Sequence, residues 1–135
     1  MTDTLKLEIV TPEAVVYSEQ VEMVTLPGVE GQMGVLPQHV RLITQMVPGE
    51  LTVHRDGRDT FLAVGEGMVE VGNDRVCIVT NMAVAVESID EAAAEEARQK
   101  AAARLKEKLS AEEVASVNAS LARSLAQLHV KRRHR

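Results

Sequence analysis

The chain changes character once, near Glu87, and this change limits the folds it can adopt. All eight glycines and all four prolines lie before that residue. After it, Ala, Glu, Lys, Arg, Gln and Leu dominate, and these are strong helix formers. Glycine and proline divide a chain into short segments, whereas an uninterrupted run of helix formers favours long helices. The sequence therefore predicts a β-rich domain over residues 1–87 and a helical domain over residues 88–135.

Short apolar runs before Glu87 predict an all-β domain. In Leu5–Ile9, apolar residues alternate with charged ones, which is the period of a half-buried strand. Asp56-Gly57 and the run Gly72–Asp74 each separate two such segments and predict hairpin turns. About ten short strands joined by Gly-rich turns indicate a β-sandwich. Aromatic residues make up only 1% of the chain, so the core must be aliphatic, and Cys77 is predicted to be part of it.

The helical part is predicted to be an antiparallel hairpin. Its first helix covers Asp90–Leu109, and Ser110 with Glu113 forms a capping box that starts the second. A hairpin this poor in large apolar residues holds weakly, so it is either a mobile appendage or a permanent cover for one face of the sheet. The second helix carries an apolar stripe at spacings of three and four, made of Val114, Val117, Leu121, Leu125 and Leu128.

The stretch Leu26–Leu42, LPGVEGQMGVLPQHVRL, contains three glycines and two prolines between two β-like runs. So many glycines and prolines in one stretch predict a shaped loop rather than regular structure. Such a loop either presents backbone and a few side chains to a partner or is a long connection between strands. His39 is predicted to brace the loop by hydrogen bonding, because no nucleophile or second base accompanies it.

Composition excludes several function classes. A net charge of −5 argues against a general nucleic-acid binder. One cysteine leaves no internal disulfide or thiolate cluster, and the four histidines lack metal-ligand spacing. The N-terminus lacks the features of a secretory signal, and no apolar run approaches the roughly 20 residues of a membrane span. No phosphate-binding, metalloprotease or serine-hydrolase motif is present, so a non-catalytic protein is expected.

Three segments resemble one known family. The run GQMGVLPQHVRLI is similar to a glycine–glycine–aliphatic–proline–x–histidine loop, and Gly65–Val71 is similar to the strand entry that follows it in that family. The helical part then opens with SIDEAAAEEA. In motifs and domain order, nearly the whole chain resembles the epsilon subunits of bacterial F-type ATP synthases.

This resemblance implies a sandwich that docks on the gamma subunit and the c-subunit ring in the central stalk. It implies helices that either fold beside the sandwich or extend towards the alpha and beta subunits and inhibit ATP hydrolysis. The protein would then lie peripherally on the cytoplasmic face of the bacterial inner membrane and couple proton translocation to ATP synthesis. The expected docking residues are Gly28, Glu30, Gly31, Gln32, Gly34, Pro37 and His39.

Some members of the family bind ATP in the helical domain, and this provides an alternative function as a nucleotide-sensing regulator. The residues that match that motif are Ile89, Asp90, Arg98, Lys100 and Arg123. Ala93 and Gln127 replace two of its arginines. A polyphosphate needs several cations, so ATP is expected to bind weakly, and no other cofactor or metal is predicted.

The cationic end of the second helix is the expected contact to the beta subunits. Its residues are Arg123, Lys131, Arg132, Arg133 and Arg135. Relatives carry an acidic segment on beta, which the extended helix would approach. The other interpretation of these residues is a solvated, frayed terminus.

Overall fold

The computed structural model describes residues 3–135, which form ten strands, a 3₁₀ turn and two α-helices. The first five strands are β1 Leu5–Val10, β2 Val15–Val21, β3 Met23–Gly28, β4 Gly31–Val35 and β5 Leu42–Met46. The next five are β6 Gly49–Arg55, β7 Arg58–Val64, β8 Gly67–Gly72, β9 Arg75–Thr80 and β10 Ala83–Ala85. The 3₁₀ turn Val86–Ser88 leads into α1 Glu91–Arg104 and α2 Ala111–Arg133.

The strands form one hydrogen-bonded sheet that folds over a single core. Their order is β10-β7-β6-β3-β5-β8-β9-β1-β2, with β4 attached to β3. Every pair is antiparallel except β1 with β9. Sixteen aliphatic side chains from both halves of the sheet pack together, each no more than 3% exposed. The predicted ten-stranded β-sandwich with an aliphatic core is confirmed.

Both predicted hairpin turns are present. Asp56 and Gly57 join β6 to β7 with φ angles of 54° and 74°, which is the left-handed pair that a two-residue hairpin requires. Asn73 and Asp74 join β8 to β9, and of these two only Asp74 is left-handed, with a φ of 52°.

The glycine-rich stretch is mostly a hairpin, so the prediction of an irregular loop over Leu26–Leu42 was wrong for most of its length. β3 continues to Gly28, and β4 returns along it from Gly31. A Cβ on Gly28 would lie 2.9 Å from the carbonyl oxygen of Gly31, and Gly31 itself has a φ of 124°. Glycine is therefore needed to close this turn tightly, and only residues 36–41 lack regular structure.

Cys77 is not a core residue, contrary to the prediction. Val76 and Ile78 on either side of it point inward and are buried, so the period of the strand turns Cys77 to the outer face. There it lies between Glu8 and Glu70 on the neighbouring strands. Burial, followed by the charge of Glu8, raises the pKa of this thiol, so it is a poor nucleophile.

Both helices begin at a side-chain cap, and the cap of α2 is the predicted one. The Ala93 N–H donates to the Asp90 carboxylate at 3.0 Å, and Ser110 and Glu113 form the complete reciprocal box. α1 ends at Arg104 rather than Leu109. Tight turns at Lys106 and Glu107 follow, because the extended backbone that Ser110 needs as a cap requires the chain to leave the helix first. Within residues 3–135, neither helix has the length and hydropathy of a membrane span.

Candidate functional site

The helical hairpin lies against the outer surface of β6 and β7, and an apolar cluster anchors it there. Val130 of α2 is fully buried and packs with Ile89, which precedes α1, and with Ala63 of β7. Partly buried side chains around them complete this cluster, which we call the apolar anchor: Phe61, Met82, Val84 and Val86. The anchor is separate from the sandwich core and much smaller, because it has only three fully enclosed members among the described residues.

Polar side chains on one face of α2 extend the contact along the helix. The residues recur at spacings of three and four, which places them on one side of a helix. Nε2 of Gln127 lies 3.1 Å from Sδ of Met82, and Nζ of Lys131 donates to the carbonyl of Val86 at 3.1 Å. The outer members of this polar stripe, Arg123 and His134, each meet a glutamate of the sandwich.

At the C-terminal end of α2, the sandwich residue that pairs with the helix is Glu50 of β6. One carboxylate oxygen lies 2.6 Å from Nε2 of His134, and the other accepts from Arg133 at 3.2 Å. The side chain of Glu50 is only 10% exposed. The His134 ring stacks on Phe61 with 3.7 Å between ring centroids. In the docked state, groups at the end of the helix thus satisfy both oxygens of this largely buried carboxylate.

At the other end of the stripe, Glu66 receives Arg123 at 3.4 Å. Asn81 donates to the same carboxylate oxygen at 2.7 Å and fixes its position. Burial raises the pKa of Glu66, but hydrogen bonds from its own backbone and from Asn81, together with the Arg123 charge, bring the pKa below its ordinary value. Gly65 makes this approach possible, since a Cβ there would lie 2.2 Å from Oδ1 of Asn81 and 3.4 Å from Cδ of Arg123.

A separate set of ion pairs holds α2 to α1. Arg132 and Arg135 both donate to Glu91, at 2.9 and 2.6 Å, and Arg132 also reaches Glu95. Hydrogen bonding from Arg98 lowers the pKa of Glu95 to about 2 despite the opposing effect of burial. Ala94 and Ala101 of α1 and Ser124 and Leu128 of α2 are buried, so small residues let the two helices approach closely.

The apolar stripe predicted on α2 is only partly the buried face. Leu128 is buried, but Val114 is 37% and Leu125 is 47% exposed. The buried residues are instead confined to the second half of the helix, where Ser124, Ala126, Leu128 and Val130 lie. In that half the helix is covered from two sides, by α1 and by the sandwich, so burial does not follow a single stripe.

All five cations expected to contact the beta subunits have partners within this chain. Arg123 pairs with Glu66, and Arg133 pairs with Glu50. Lys131 donates to a backbone carbonyl, while Arg132 and Arg135 pair with acids of α1. The docked hairpin therefore pairs four of these five cations with acids of the same chain, and Lys131 alone has only a carbonyl partner within residues 3–135.

The residues that match the ATP motif serve other contacts here and do not converge. Ile89 is buried in the apolar anchor, and Asp90 caps α1. Arg98 pairs with Glu95, and Lys100 pairs with Glu96. Arg98 borders an open groove of about 600 Å³ together with His129 and Arg132, whereas Lys100 borders a different groove of about 350 Å³.

The expected docking residues lie on the β3–β4 hairpin and in the loop that follows β4. Five of them are on the β3–β4 hairpin: Gly28, Glu30, Gly31, Gln32 and Gly34. Pro37 and His39 lie in the following loop, where Nδ1 of His39 is 2.7 Å from the carbonyl of Val40. Val40 and Ile43 are 79% and 66% exposed, and sequence reasoning missed these two, although both are large apolar residues beside the motif. A groove of about 350 Å³ connects Gly28 and Gln32 to Glu50 and Arg133.

Comparisons with known proteins agree with this architecture. Residues 4–86 match the β-sandwich domain of the ATP synthase delta/epsilon chain, and residues 87–132 match the long α-helix domain of the same chain. The ATP synthase epsilon chain of Herpetosiphon aurantiacus is 40% identical over 97% of this chain and 96% of its own length. That of Halorhodospira halophila is 38% identical over 93% of this chain and 90% of its own length.

A solved structure has the same fold. A chain in the cryo-EM structure of the Euglena gracilis mitochondrial ATP synthase, comprising OSCP, F1 and c-ring, superposes with a TM-score of 0.77 at 24% identity. The match covers 96% of this chain and 81% of that one. With both domains matched in order over almost its entire length, the chain belongs to the ATP synthase delta/epsilon chain family.

Proposed function

We propose that this chain is the epsilon subunit in the central stalk of an F-type ATP synthase and has no active site of its own. The sandwich docks on the gamma subunit and the c ring through the β3–β4 hairpin and the loop after it. The helices inhibit ATP hydrolysis when they leave the sandwich and reach the alpha and beta subunits. The complex holds the chain at the cytoplasmic face of the bacterial inner membrane.

The observation that carries this proposal is the unequal attachment of the two domains. The sandwich has its own closed core, whereas α2 meets it through a small apolar anchor and a polar stripe. Polar and charged groups can exchange one partner for another or for water at low net cost, so a helix held in this way can be released. The exposed Val40 and Ile43 beside the β3–β4 hairpin suit burial against a partner.

Assembly is tested with a truncated chain that ends at Ser88. In a complex lacking this subunit, we expect the truncated chain to bind gamma and restore proton-coupled ATP synthesis as well as the full chain does. Failure of the folded truncated chain to bind gamma would refute the division of labour between the domains. Co-purification of alpha, beta and gamma chains with the tagged full chain tests membership of the complex directly.

Inhibition is tested by removing the cations. Changing Arg123, Lys131, Arg132, Arg133 and Arg135 to Ala is expected to raise ATP hydrolysis by the purified complex towards that of the complex truncated at Ser88. Changing Lys106 and Lys108 to Ala removes two cations that are exposed in the turn between the helices and provides a control for loss of charge elsewhere on the hairpin. If the charge-depleted complex stays inhibited while truncation activates it, apolar packing carries the inhibition instead.

The nucleotide-sensing alternative is tested separately by calorimetry. We expect ATP to bind the isolated chain weakly, because two losses of a charge-assisted bond, each contributing on the order of 1.5–3 kcal/mol, weaken binding by roughly two to four decades. Micromolar affinity would overturn this expectation and would mean that Arg98, Lys100 and Arg123 suffice.

A further inference from the structure

We propose that Glu50 and Glu66 form an acidic latch on the sandwich, which holds the helices docked and at the same time pairs with two of the cations that inhibit hydrolysis, Arg133 and Arg123. This inference rests on the proposed function for its effect on hydrolysis, but not for its effect on docking. It assigns regulation to two residues that lie outside the helical domain.

The geometry of Glu50 fits a latch. Its carboxylate binds Arg133 with one oxygen and His134 with the other, and it is the less exposed partner in both contacts. Stacking of His134 on Phe61 fixes the ring against the sheet. The Glu50 carboxylate is largely shielded from water, while Arg133 is 60% exposed, so we expect this contact to contribute more than the pairs elsewhere on the hairpin in which both partners are exposed.

Glu66 fastens the other end of the same contact. Arg123 and His134 are separated by three turns of α2, which is roughly 16 Å along the helix axis. The apolar anchor at Val130 lies between them. A single central contact would let the helix pivot, whereas a polar contact on each side of it fixes its direction. Asn81 holds the Glu66 carboxylate in place for this role.

Removing an acid of the sandwich and removing a cation of the helix have different effects on docking and on inhibition. Changing a cation weakens docking and also removes a charge that inhibits, so the two effects oppose each other. Changing Glu50 or Glu66 weakens docking but leaves every cation intact. Variants of the acids therefore isolate the docking equilibrium, and in the complex they should increase inhibition.

The test uses the full chain with Glu50→Gln, Glu66→Gln and both together. Hydrogen exchange of the second half of α2 reports release from the sandwich. We expect exchange to be roughly tenfold faster for Glu50→Gln, because a largely buried carboxylate with two partners loses its charge, and a few-fold faster for Glu66→Gln, whose carboxylate is more exposed. Glu70→Gln on the opposite face is the matched control and should leave α2 unchanged.

A double-mutant cycle excludes a general defect in folding. If Glu50 acts through Arg133, the combined variant Glu50→Gln with Arg133→Gln should release the helix less than the sum of the single changes. Additive effects would mean that Glu50 acts through His134 alone or by altering β6. The melting temperature of a chain ending at Ser88 and carrying Glu50→Gln reports directly on β6.

Measurements on the complex separate failure of the latch from failure of the proposed function. Faster exchange in the isolated chain with lower hydrolysis in the complex supports both. Unchanged exchange of α2 in Glu50→Gln and Glu66→Gln together overturns the latch. Faster exchange with unchanged hydrolysis keeps the latch for docking but overturns inhibition by the released helices. Faster exchange with higher hydrolysis overturns masking of Arg123 and Arg133 by the two acids.

Discussion

The sandwich and the helical hairpin differ in what holds them. The sandwich encloses sixteen aliphatic side chains that are almost fully buried, and its strands share hydrogen bonds throughout. The hairpin meets the sandwich through three enclosed apolar residues and a line of polar contacts. Burial inside the sandwich core is lost only when the domain unfolds, whereas a polar contact on its surface can be replaced by water or by another partner. From this difference we expect the sandwich to be the fixed part of the chain and the hairpin to be the part that can be released.

The largest expected effect comes from breaking the core. Ile78→Ala, at a fully buried position of β9, is expected to lower the free energy of unfolding by about 2–5 kcal/mol, because it removes transfer energy and leaves a cavity. Urea unfolding of the full chain measures this loss. Val79→Ala, at the exposed neighbouring position, should change stability by no more than about 0.5 kcal/mol. Similar values for the two would contradict the assigned faces of β9.

A smaller effect is expected in the apolar anchor. Val130→Ala removes two methyl-sized groups from an enclosed site and should cost docking about 2 kcal/mol, or roughly a 30-fold shift towards the released hairpin. Hydrogen exchange of α2 measures the shift, while the midpoint of sandwich unfolding should stay nearly constant. Val114→Ala, in the exposed first half of the helix, is the control. Equal loss in both domains would mean that they unfold as one cooperative unit.

Next in size is the start of α2. Ser110→Ala removes the hydroxyl that accepts from the Glu113 N–H at 3.2 Å and should cost about 1 kcal/mol of local helix stability. Helicity followed by circular dichroism during heating measures this cost. Ser116→Ala, at an exposed position inside the helix, should leave helicity equal or slightly higher. A fall in helicity for Ser116→Ala as large as for Ser110→Ala would refute the capping role.

The smallest effect at neutral pH is that of protonation, which becomes visible only on acidification. The pKa values of Glu66, Glu91, Glu95 and Glu113 are all lowered, and that of Glu95 reaches about 2. A carboxylate whose pKa is lowered by folding stabilises the folded form at pH values above its ordinary pKa. This contribution is lost as the pH falls through the lowered pKa. NMR spectra should therefore show the hairpin contacts loosening between about pH 4.5 and about pH 2. The sandwich signals should change only at lower pH. If they changed before those of the hairpin, the hairpin would not be the more weakly held domain.

Local signals in the sequence predicted local structure well. The Asp56-Gly57 turn and the Ser110 cap depend on residues within four positions of each other, and both were predicted. The β3–β4 hairpin was missed because glycine marks a tight turn and an irregular loop alike, and only the approach of the Gly31 carbonyl to Gly28 distinguishes them. Cys77 was misplaced because the apolar run around it concealed the alternation of the strand.

The candidate site was less predictable for a physical reason. The cations of α2 were found from the sequence, but the acids that receive them come from strands far away in the chain. Glu50 and Arg133 are 83 positions apart, and Glu66 and Arg123 are 57 apart. Helical spacing tells which residues share a face but not which surface covers that face. For this reason the prediction that the apolar stripe of α2 is its buried face was only partly right.

The single parallel pair in the sheet has a consequence for how the chain is made. β1 pairs with β9, and Lys6 lies opposite Arg75, so the first strand depends on one of the last strands of its domain. Contacts this distant in sequence form slowly. The chain between the two strands is almost the whole domain, and closing so long a loop costs conformational entropy before the contacts form. During synthesis, we therefore expect the apolar faces of β1 and β2 to stay exposed until β9 has left the ribosome. α1 and α2 need only each other to pair and can do so as soon as they are translated.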